Sequence, residues 1–380
     1  MILYAGMFMR AKIAPLRTYN IPTPVIGGVI FALLNWALRE YIHFGFDMTL
    51  SNYFMIAFFT TIGLSASLQM LKQGGRQVFI FLIAASVLIV CQDAVAIVVS
   101  KFVGIHPALG MLAGSITMSG GHGTGAAYAT VFEKQFGLTG CMELAMAAAT
   151  FGLVMGSVIG GPVARRLIQK NGLAPDKDAA GSESGEVTVR EDGQITTDVV
   201  MRTLMQIAFA MSLGGVFYKW LADAGVQIPS YLCALFVGIA VRNVSDFTGA
   251  YKVHLRLCDM VGSVSLSLFL AMSLMSLKLW QLADLAGAMS AILISQVALL
   301  LLFAYFITFR VMGRDYTAAV ITGGHCGFGL GATANAIANM DAIVTNYGPA
   351  PKAFFIVSIV GAFFIDIVNA IVIQAFVSFL

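Results

Sequence analysis

Two glycine-rich stretches hold most of the polar residues with possible chemistry in this chain. The first is Ser119–Gly125, and the second, Gly323–Gly331, contains the same Gly-Gly-His triplet. Glycine accepts positive φ and lets a ligand approach the main chain closely. Main-chain N–H and C=O groups that are freed at such places bind anions and cations, respectively. We therefore expect a binding site formed by Ser119, Gly120, Gly121, His122, Gly123, Thr124, Gly324, His325, Gly327, Gly329, Gly331, Thr333 and Asn335.

The residues after each stretch are typical of helix starts. Ala126–Phe136 has a helical composition, and Thr333 is a suitable N-cap for a helix from Ala334. Asn335 and Asn339 would then lie on one face of that helix. Two helix N-termini that meet present free N–H groups and partial positive charge, which favours an anion. The alternative is that the glycines only allow close helix packing.

Carboxylates inside apolar segments indicate a cation site. Asp366 falls near the middle of the last apolar segment, with Asn369 three residues later on the same helical face. A charged residue at that depth is costly and usually functional, so we expect it to bind Na⁺ or a substrate ammonium group. Gln92 and Asp93 form a weaker version of the same pattern. The alternative for both pairs is a hydrogen bond between helices.

The two histidines allow two interpretations. His122 and His325 each follow a Gly-Gly pair, so they could form a polar, proton-sensitive wall of the site. They could equally be structural imidazoles that bond main-chain carbonyls near the stretches. The sequence has no HExxH motif and no further histidine cluster, so a zinc site is not indicated.

Composition indicates a membrane protein. Apolar residues make up 59% of the chain, charged residues 11%, and the mean hydropathy is +0.87. A soluble domain has roughly 25% charged residues. We therefore expect an all-α polytopic protein in a lipid bilayer. The net charge of +3 gives no indication of nucleic-acid binding, and no such partner is expected.

Internal similarity suggests a repeat. The Ile228-Pro229 pair repeats Ile21-Pro22 after 207 residues, and the Gly-Gly-His triplet recurs after 203. A hydrophilic segment at 171–198 separates halves 1–170 and 199–380. Each half is predicted to have five transmembrane helices and one re-entrant hairpin, at 108–136 and 316–346. Since five is odd, the two repeats would have inverted orientations.

Charge placement predicts the topology. With the linker in the cytoplasm, only Arg39, Lys101, Lys134, Lys219 and Lys278 of the 22 lysines and arginines lie outside. This asymmetry follows the positive-inside rule and places both termini outside. Met1–Met9 is too short for a complete span, so we expect a short or truncated first helix.

Four segments resemble the bacterial glutamate:sodium symporter family. They are Ser119–Ala127, Thr150–Ala164, Gly324–Thr333 and Gly361–Asn369, and the resemblance extends from about Ile21 to the C-terminus. It implies Na⁺-driven uptake of L-glutamate across the bacterial inner membrane by a homodimer. It also implies inverted five-helix repeats with re-entrant loops, and related folds suggest an elevator motion. The family's first helix is complete, whereas the one here is short.

Two other classes of function remain to be considered. A passive channel for a small anion would need a continuous polar pore, and another cation-coupled carrier would accept a different carboxylate. An enzyme is not expected, because the sequence has no P-loop, no Gly-x-Ser-x-Gly and no other nucleophile constellation. Na⁺ is the expected coupling ion, and no organic cofactor is indicated.

Overall fold

The computed structural model describes residues 1–19, 21–38, 41–42, 44–69, 75–175, 195–224, 228–275, 277 and 280–380, and every regular element in them is helical. The first half contains α1 (Ile2–Lys12), α2 (Ala14–Thr18), α3 (Thr23–Leu38), α4 (Thr49–Ser65), α5 (Gly75–Phe102), α6 (Pro107–Leu112), α7 (Ser115–Met118), α8 (Gly121–Phe136) and α9 (Cys141–Asn171). The second contains α10 (Thr197–Asp223), α11 (Ser230–Thr248), α12 (Leu255–Met275), α13 (Trp280–Phe303), α14 (Phe309–Val311), α15 (Tyr316–Leu330), α16 (Thr333–Tyr347), α17 (Pro351–Ile359) and α18 (Ile365–Val377). π-Helical turns at Ala304–Thr308 and Val360–Phe364 join α13 to α14 and α17 to α18.

Six helices in the described part of the chain are long and apolar enough to cross a membrane. They are Gly75–Phe102, Cys141–Asn171, Thr197–Asp223, Ser230–Thr248, Leu255–Met275 and Leu285–Val311. The shortest has 19 residues, and at 1.5 Å per residue it spans about 28 Å, close to a hydrocarbon core of ~30 Å. Large apolar side chains such as Phe79, Phe209 and Ile294 are exposed along these helices, as expected of surfaces that face lipid. The chain is therefore a polytopic helical membrane protein.

Two helix starts agree with the Ile-Pro signals of the sequence. α3 and α11 begin at Thr23 and Ser230, directly after the two Ile-Pro pairs. α12 begins at Leu255. Most of the predicted linker, residues 176–194, lies outside the described residues.

The helices form two compact units, and both units draw on both halves of the chain. The first unit comprises Met1–Met7, Pro22–Gln73 and Thr188–Ser276, and the second comprises Phe8–Ile21, Gly74–Val187 and Leu277–Leu380. The compact units therefore differ from the sequence halves 1–170 and 199–380. That these halves are inverted repeats stays a prediction.

Glycine-mediated contacts hold the first unit together. α4 packs on α11 so closely that a Cβ at Gly63 would overlap the carbonyl oxygen of Leu235. The side chain of Asn243 accepts from the N–H of Leu68 at 2.9 Å and donates to the carbonyl of Ala66 at 3.1 Å. These bonds satisfy main-chain groups where α4 ends, as a helix terminus in an apolar environment requires.

The second unit contains both glycine stretches. It comprises the long helices α5, α9 and α13, the interrupted helices α6–α8 and α15–α16, and the carboxyl-terminal helices α17 and α18. α9 packs along α15, where the main chains approach closely at Gly152 and Gly156. All candidate site residues predicted from the sequence lie in this unit.

Candidate functional site

The first interruption occurs at Ser119-Gly120, between α7 and α8. We call these two residues the first break. The next residue, Gly121, has φ of +65°, which explains glycine at this position. A Cβ at Gly120 would lie 2.6 Å from the carbonyl oxygen of Ile116 and 2.8 Å from Nδ2 of Asn369. Both glycines are therefore required by local geometry, one by conformation and one by space.

The second interruption occurs at the end of the second glycine stretch. α15 continues through the second Gly-Gly-His triplet to Leu330, so the break is Gly331-Ala332. We call these two residues the second break. The break thus falls at the end of the predicted stretch Gly323–Gly331, and most of the stretch is helical. Gly323 and Gly327 are helical and serve packing: a Cβ at Gly323 would lie 3.2 Å from that of Ala164.

Thr333 follows the second break but does not cap α16. The N-cap position is Ala332, which has no side-chain oxygen. The hydroxyl of Thr333 instead donates at 2.7 Å to the carbonyl of Gly361, in the π turn between α17 and α18. A π turn leaves a carbonyl without its usual helical partner, and Thr333 satisfies that one.

The two breaks meet. A Cβ built on Gly121 would lie 3.7 Å from the carbonyl oxygen of Gly331, and its position is otherwise open within 4 Å. The amino-terminal ends of α8 and α16, which follow the breaks, are therefore in one place. Free N–H groups at helix starts attract negative charge. This arrangement has the polarity expected of a site for a carboxylate.

Gln92 connects the two glycine stretches. Its Nε2 donates to the carbonyl of Gly329 at 2.7 Å, and its Oε1 accepts from the hydroxyl of Ser119 at 2.8 Å. The residue is fully buried in α5. Sequence analysis placed Gln92 among the tentative Na⁺ ligands, but both ends of its amide are used in hydrogen bonds to the protein.

Asp93 supports the short helix α7. Its two carboxylate oxygens accept from the N–H of Ser115 at 2.9 Å and from the hydroxyl of Ser115 at 2.8 Å. On the other side, Nδ2 of Asn369 donates to the carbonyl of Ser115 at 3.1 Å. The main chain that leads into the first break is thus held by side chains from α5 and α18.

Asp366 and Asn369 offer oxygen atoms without partners. Oδ1 of Asn369 is buried and accepts no hydrogen bond from the described residues. Asp366 is half-buried in the first turn of α18, and no hydrogen bond or ion pair with it is found in the described part of the chain. A carboxylate in an apolar segment is costly without a partner. Oxygen ligands of this kind suit a hard cation.

The two histidines make different contacts. Nε2 of His122 lies 3.0 Å from the hydroxyl of Thr150 in α9, and Nδ1 of His325 lies 2.9 Å from that of Thr308. The His325 ring also packs among Phe81, Phe303 and Phe328, with centroid distances of 5.0 to 6.1 Å. Hydroxyls are the observed partners, whereas the structural interpretation of the histidines named main-chain carbonyls.

The side chains of Asn335 and Asn339 bond main-chain carbonyls of α9. Their Nδ2 atoms donate to the carbonyls of Leu153 and Gly156, at 2.9 and 2.8 Å. These bonds fasten α16 to α9 beside the second break. The remaining candidate glycines pack closely: a Cβ at Gly324 would lie 2.9 Å from the sulfur of Met340, and one at Gly331 would lie 2.7 Å from Nδ2 of Asn335. Gly123 and Thr124 are buried in α8.

Several residues around the breaks were not identified from the sequence. Gly152, Gly156 and Gly160 form the contact of α9 with α15, and their spacing of four is a known signal for close packing of membrane helices. Gln296, the polar residue that bonds Gln92, stands inside an apolar helix and was detectable for that reason. Ser115 gave no comparable signal, because its role depends on a distant aspartate.

Comparison with known proteins identifies related transporters. Residues 1–349 match the family model described as sodium/glutamate symporter. The sodium/glutamate symporter of Escherichia coli (strain K12) is 46% identical over 380 residues, which cover 98% of this chain and 94% of that protein. That of Haemophilus influenzae (strain ATCC 51907 / DSM 11121 / KW20 / Rd) is 46% identical over 376 residues, with 97% and 93% covered. These relatives are transporters and not enzymes.

Proposed function

This chain belongs to the sodium/glutamate symporter family, and on that basis we propose that it transports L-glutamate together with Na⁺. The observation that carries the proposal is the meeting of the two breaks, where the starts of α8 and α16 lie together and Asn369 contacts the first break; Asp366 lies one turn before Asn369 on α18. Helix N-termini and cation ligands at one place suit an anion that travels with cations. The nearly complete coverage of the named relatives supports the same substrate pair.

Glutamate binds between the breaks in this proposal. Main-chain N–H groups after Gly120 and Ala332 receive its carboxylates, and the hydroxyls of Ser119 and Thr124 lie beside them on the first side. Of the candidate residues, His122, Gly121 and Gly123 complete the first side, and Gly324, His325, Gly327, Gly329, Gly331, Thr333 and Asn335 shape the second. The histidines and Asn335 act through the packing that fixes the breaks.

Na⁺ binds near Asp366 and Oδ1 of Asn369. Each of these groups offers oxygen atoms for which no hydrogen-bond partner is found among the described residues. Gln92 and Asp93 shape this region from behind, since their side chains already hold Ser119, Gly329 and Ser115. Na⁺ offsets the negative charge of a substrate whose desolvation alone would be very costly, which is the physical reason for coupling.

The function is tested with the full chain in proteoliposomes. An inward Na⁺ gradient is expected to drive accumulation of radiolabelled L-glutamate above the outside concentration, and a K⁺ gradient of equal size is not. Accumulation that does not depend on Na⁺ contradicts the coupling. Movement that only equalises the two concentrations indicates a passive channel, and competition by unlabelled carboxylates tests for a broader carrier.

The fold supports an alternating-access mechanism of the elevator type. The second unit contains both breaks and the proposed ion ligands, so it is a natural carrier of the site. The first unit contains α3, α4, α10, α11 and α12 and none of these residues, as a scaffold would.

The same order of helices in both halves supports the inverted repeat, with α6–α8 and α15–α16 as re-entrant hairpins. The proposal includes a homodimer in the bacterial inner membrane, with a cytoplasmic linker and both termini outside.

The elevator motion predicts a change of distance between the units. Fluorescent labels at the exposed positions Asp223 in the first unit and Lys134 in the second unit report it. Single-molecule energy transfer between them is expected to show at least two states, whose populations shift when Na⁺ and glutamate are added. Labels at Lys101 in α5 and Arg165 in α9, both exposed in the second unit and outside the proposed hairpins, are the control and should report one unchanged distance. A single state for the first pair under all conditions contradicts the elevator.

A further inference from the structure

The hydrogen bonds of Gln92 fix the orientation of its amide. The carbonyl of Gly329 only accepts, so Nε2 must face it, and Oε1 must then face the hydroxyl of Ser119. The two bonds leave the side chain in opposite directions, one toward each glycine stretch. The lengths of 2.7 and 2.8 Å are those of well-formed bonds. One fully buried side chain thus ties the first break to the end of α15.

Gln296 in α13 bonds to Gln92 in a different way. Its Nε2 donates at 2.8 Å to the main-chain carbonyl of Gln92, while its Oε1 is buried and has no partner in the described part of the chain. It therefore touches α5 and reaches neither break with its oxygen. The unpaired oxygen offsets much of what its one hydrogen bond contributes, because a buried acceptor without a partner is costly.

The two glutamines are neighbours, but their side chains contribute differently to the hydrogen bonds around the breaks. Loss of the Gln92 amide leaves the Ser119 hydroxyl and the Gly329 carbonyl unpaired in a buried region. Loss of the Gln296 amide breaks one bond and at the same time removes an unpaired oxygen. The geometry thus makes Gln92 the important member of the pair.

We infer that Gln92 is a positioning residue that latches the first break to the end of α15, directly before the second break, and must release one of the two before ions or substrate leave. This inference rests on the proposed transport function and adds to it the group that controls access. Neither end of the latch is charged. Two neutral hydrogen bonds resist opening by a factor on the order of tenfold to hundredfold. A latch of this strength prevents frequent opening and still allows turnover.

The latch keeps Na⁺ and glutamate movement coupled. When the breaks separate before the site is filled, an ion bound at Asp366 escapes without substrate. A weaker latch therefore raises the Na⁺ flux that occurs without glutamate. A residue that only stabilised the fold would lower the amount of active protein and leave the ratio of the two fluxes unchanged. The flux ratio thus separates a positioning role from a merely structural one.

The test compares Gln92→Leu with the parent chain in proteoliposomes, with Na⁺ and glutamate fluxes measured in parallel. Leucine fills similar space without donating or accepting. Na⁺ flux in the absence of glutamate is expected to rise tenfold or more, and the number of Na⁺ moved per glutamate is expected to rise with it. Ser119→Ala removes only the hydrogen bond between Ser119 and Gln92, and it is expected to raise this Na⁺ flux several-fold. Adding Ser119→Ala to Gln92→Leu should change the flux little further, because that hydrogen bond is already lost.

Two further variants serve as controls. Gln296→Leu and Thr322→Val each remove a buried polar group of the second unit without breaking a hydrogen bond of Gln92's side chain. The Thr322 hydroxyl donates to the carbonyl of Ala318 in its own helix, at 2.7 Å. Both should keep the flux ratio of the parent chain within twofold. A folded Gln92→Leu protein with an unchanged ratio overturns the latch, and if that variant does not fold, an unchanged ratio in Ser119→Ala overturns it. Absence of Na⁺-coupled uptake in the parent chain would instead refute the proposed function.

Discussion

Replacing Gly152 with alanine is expected to abolish uptake and to lower the melting temperature of the detergent-solubilised protein markedly. An added Cβ at this position would overlap the carbonyl oxygen of Leu330, the last residue of α15 before the second break. A main-chain oxygen cannot avoid the clash by changing rotamer, as a flexible side chain can. α9 and α15 would therefore have to separate. Overpacking that forces the backbone to shift typically costs about 1–3 kcal/mol, and here the clash is with a main-chain atom. It would also displace the second break itself.

Gly161 provides the matched control in the same helix. A Cβ there meets nothing within 4 Å, so Gly161→Ala introduces no clash. Alanine should even favour the helix by about 1 kcal/mol. The comparison requires melting temperature and Na⁺-driven uptake for both variants. Equal stability and uptake for Gly152→Ala and Gly161→Ala would show that α9 does not approach α15 as closely as described.

Replacing Asp366 with asparagine is expected to raise the Na⁺ concentration for half-maximal uptake at least tenfold, which corresponds to about 1.4 kcal/mol. The substitution keeps the shape of the side chain and removes its negative charge. The carboxylate has no protein partner in the described part of the chain, so the change breaks no hydrogen bond. The effect should therefore appear in ion dependence and leave thermal stability without Na⁺ unchanged or slightly higher.

Asp341 is the control for Asp366. It lies exposed on α16 in the same unit, and its carboxylate is separated from the breaks by more than a helical turn of sequence. Asp341→Asn should leave the Na⁺ dependence of uptake within twofold of the parent chain. An unchanged Na⁺ dependence in Asp366→Asn would remove this residue from the ion site and leave Asn369 without its carboxylate partner there.

The sequence predicted the helical class, the membrane and the neighbourhood of the first break. It succeeded there because glycine frequency, apolar length and the Ile-Pro pairs are local signals, and Gly121 has the positive φ for which glycine is suited. For the second stretch, the sequence located the helix start near Thr333 but did not show that most of the glycines before it are helical. Gly323 and Gly327 look alike in sequence to the glycines of the first stretch, yet they stay helical because close packing against α9 and α16 replaces the missing side chains.

The contacts that shape the site could not be predicted, because they join residues far apart in the chain. Gln92 bonds Gly329, and Asn369 bonds Ser115. The sequence around one residue of each pair gives no indication of its partner. The cap of α16 shows a second difficulty. Thr333 is a good capping residue by type, but one residue of register places it inside the helix, where it serves a π turn instead.

The composition of the two compact units has a consequence for how the protein is made. Each unit needs helices from before and after the linker, so a ribosome that has synthesised only the first half has completed neither. Glycine-lined faces such as that of α9 must wait in the bilayer until α15 and α16 are inserted. The nascent chain therefore passes through a stage in which surfaces built for tight contact are open to lipid and to other proteins. By the same logic, the two halves made as separate polypeptides contain every surface required to find each other in the membrane.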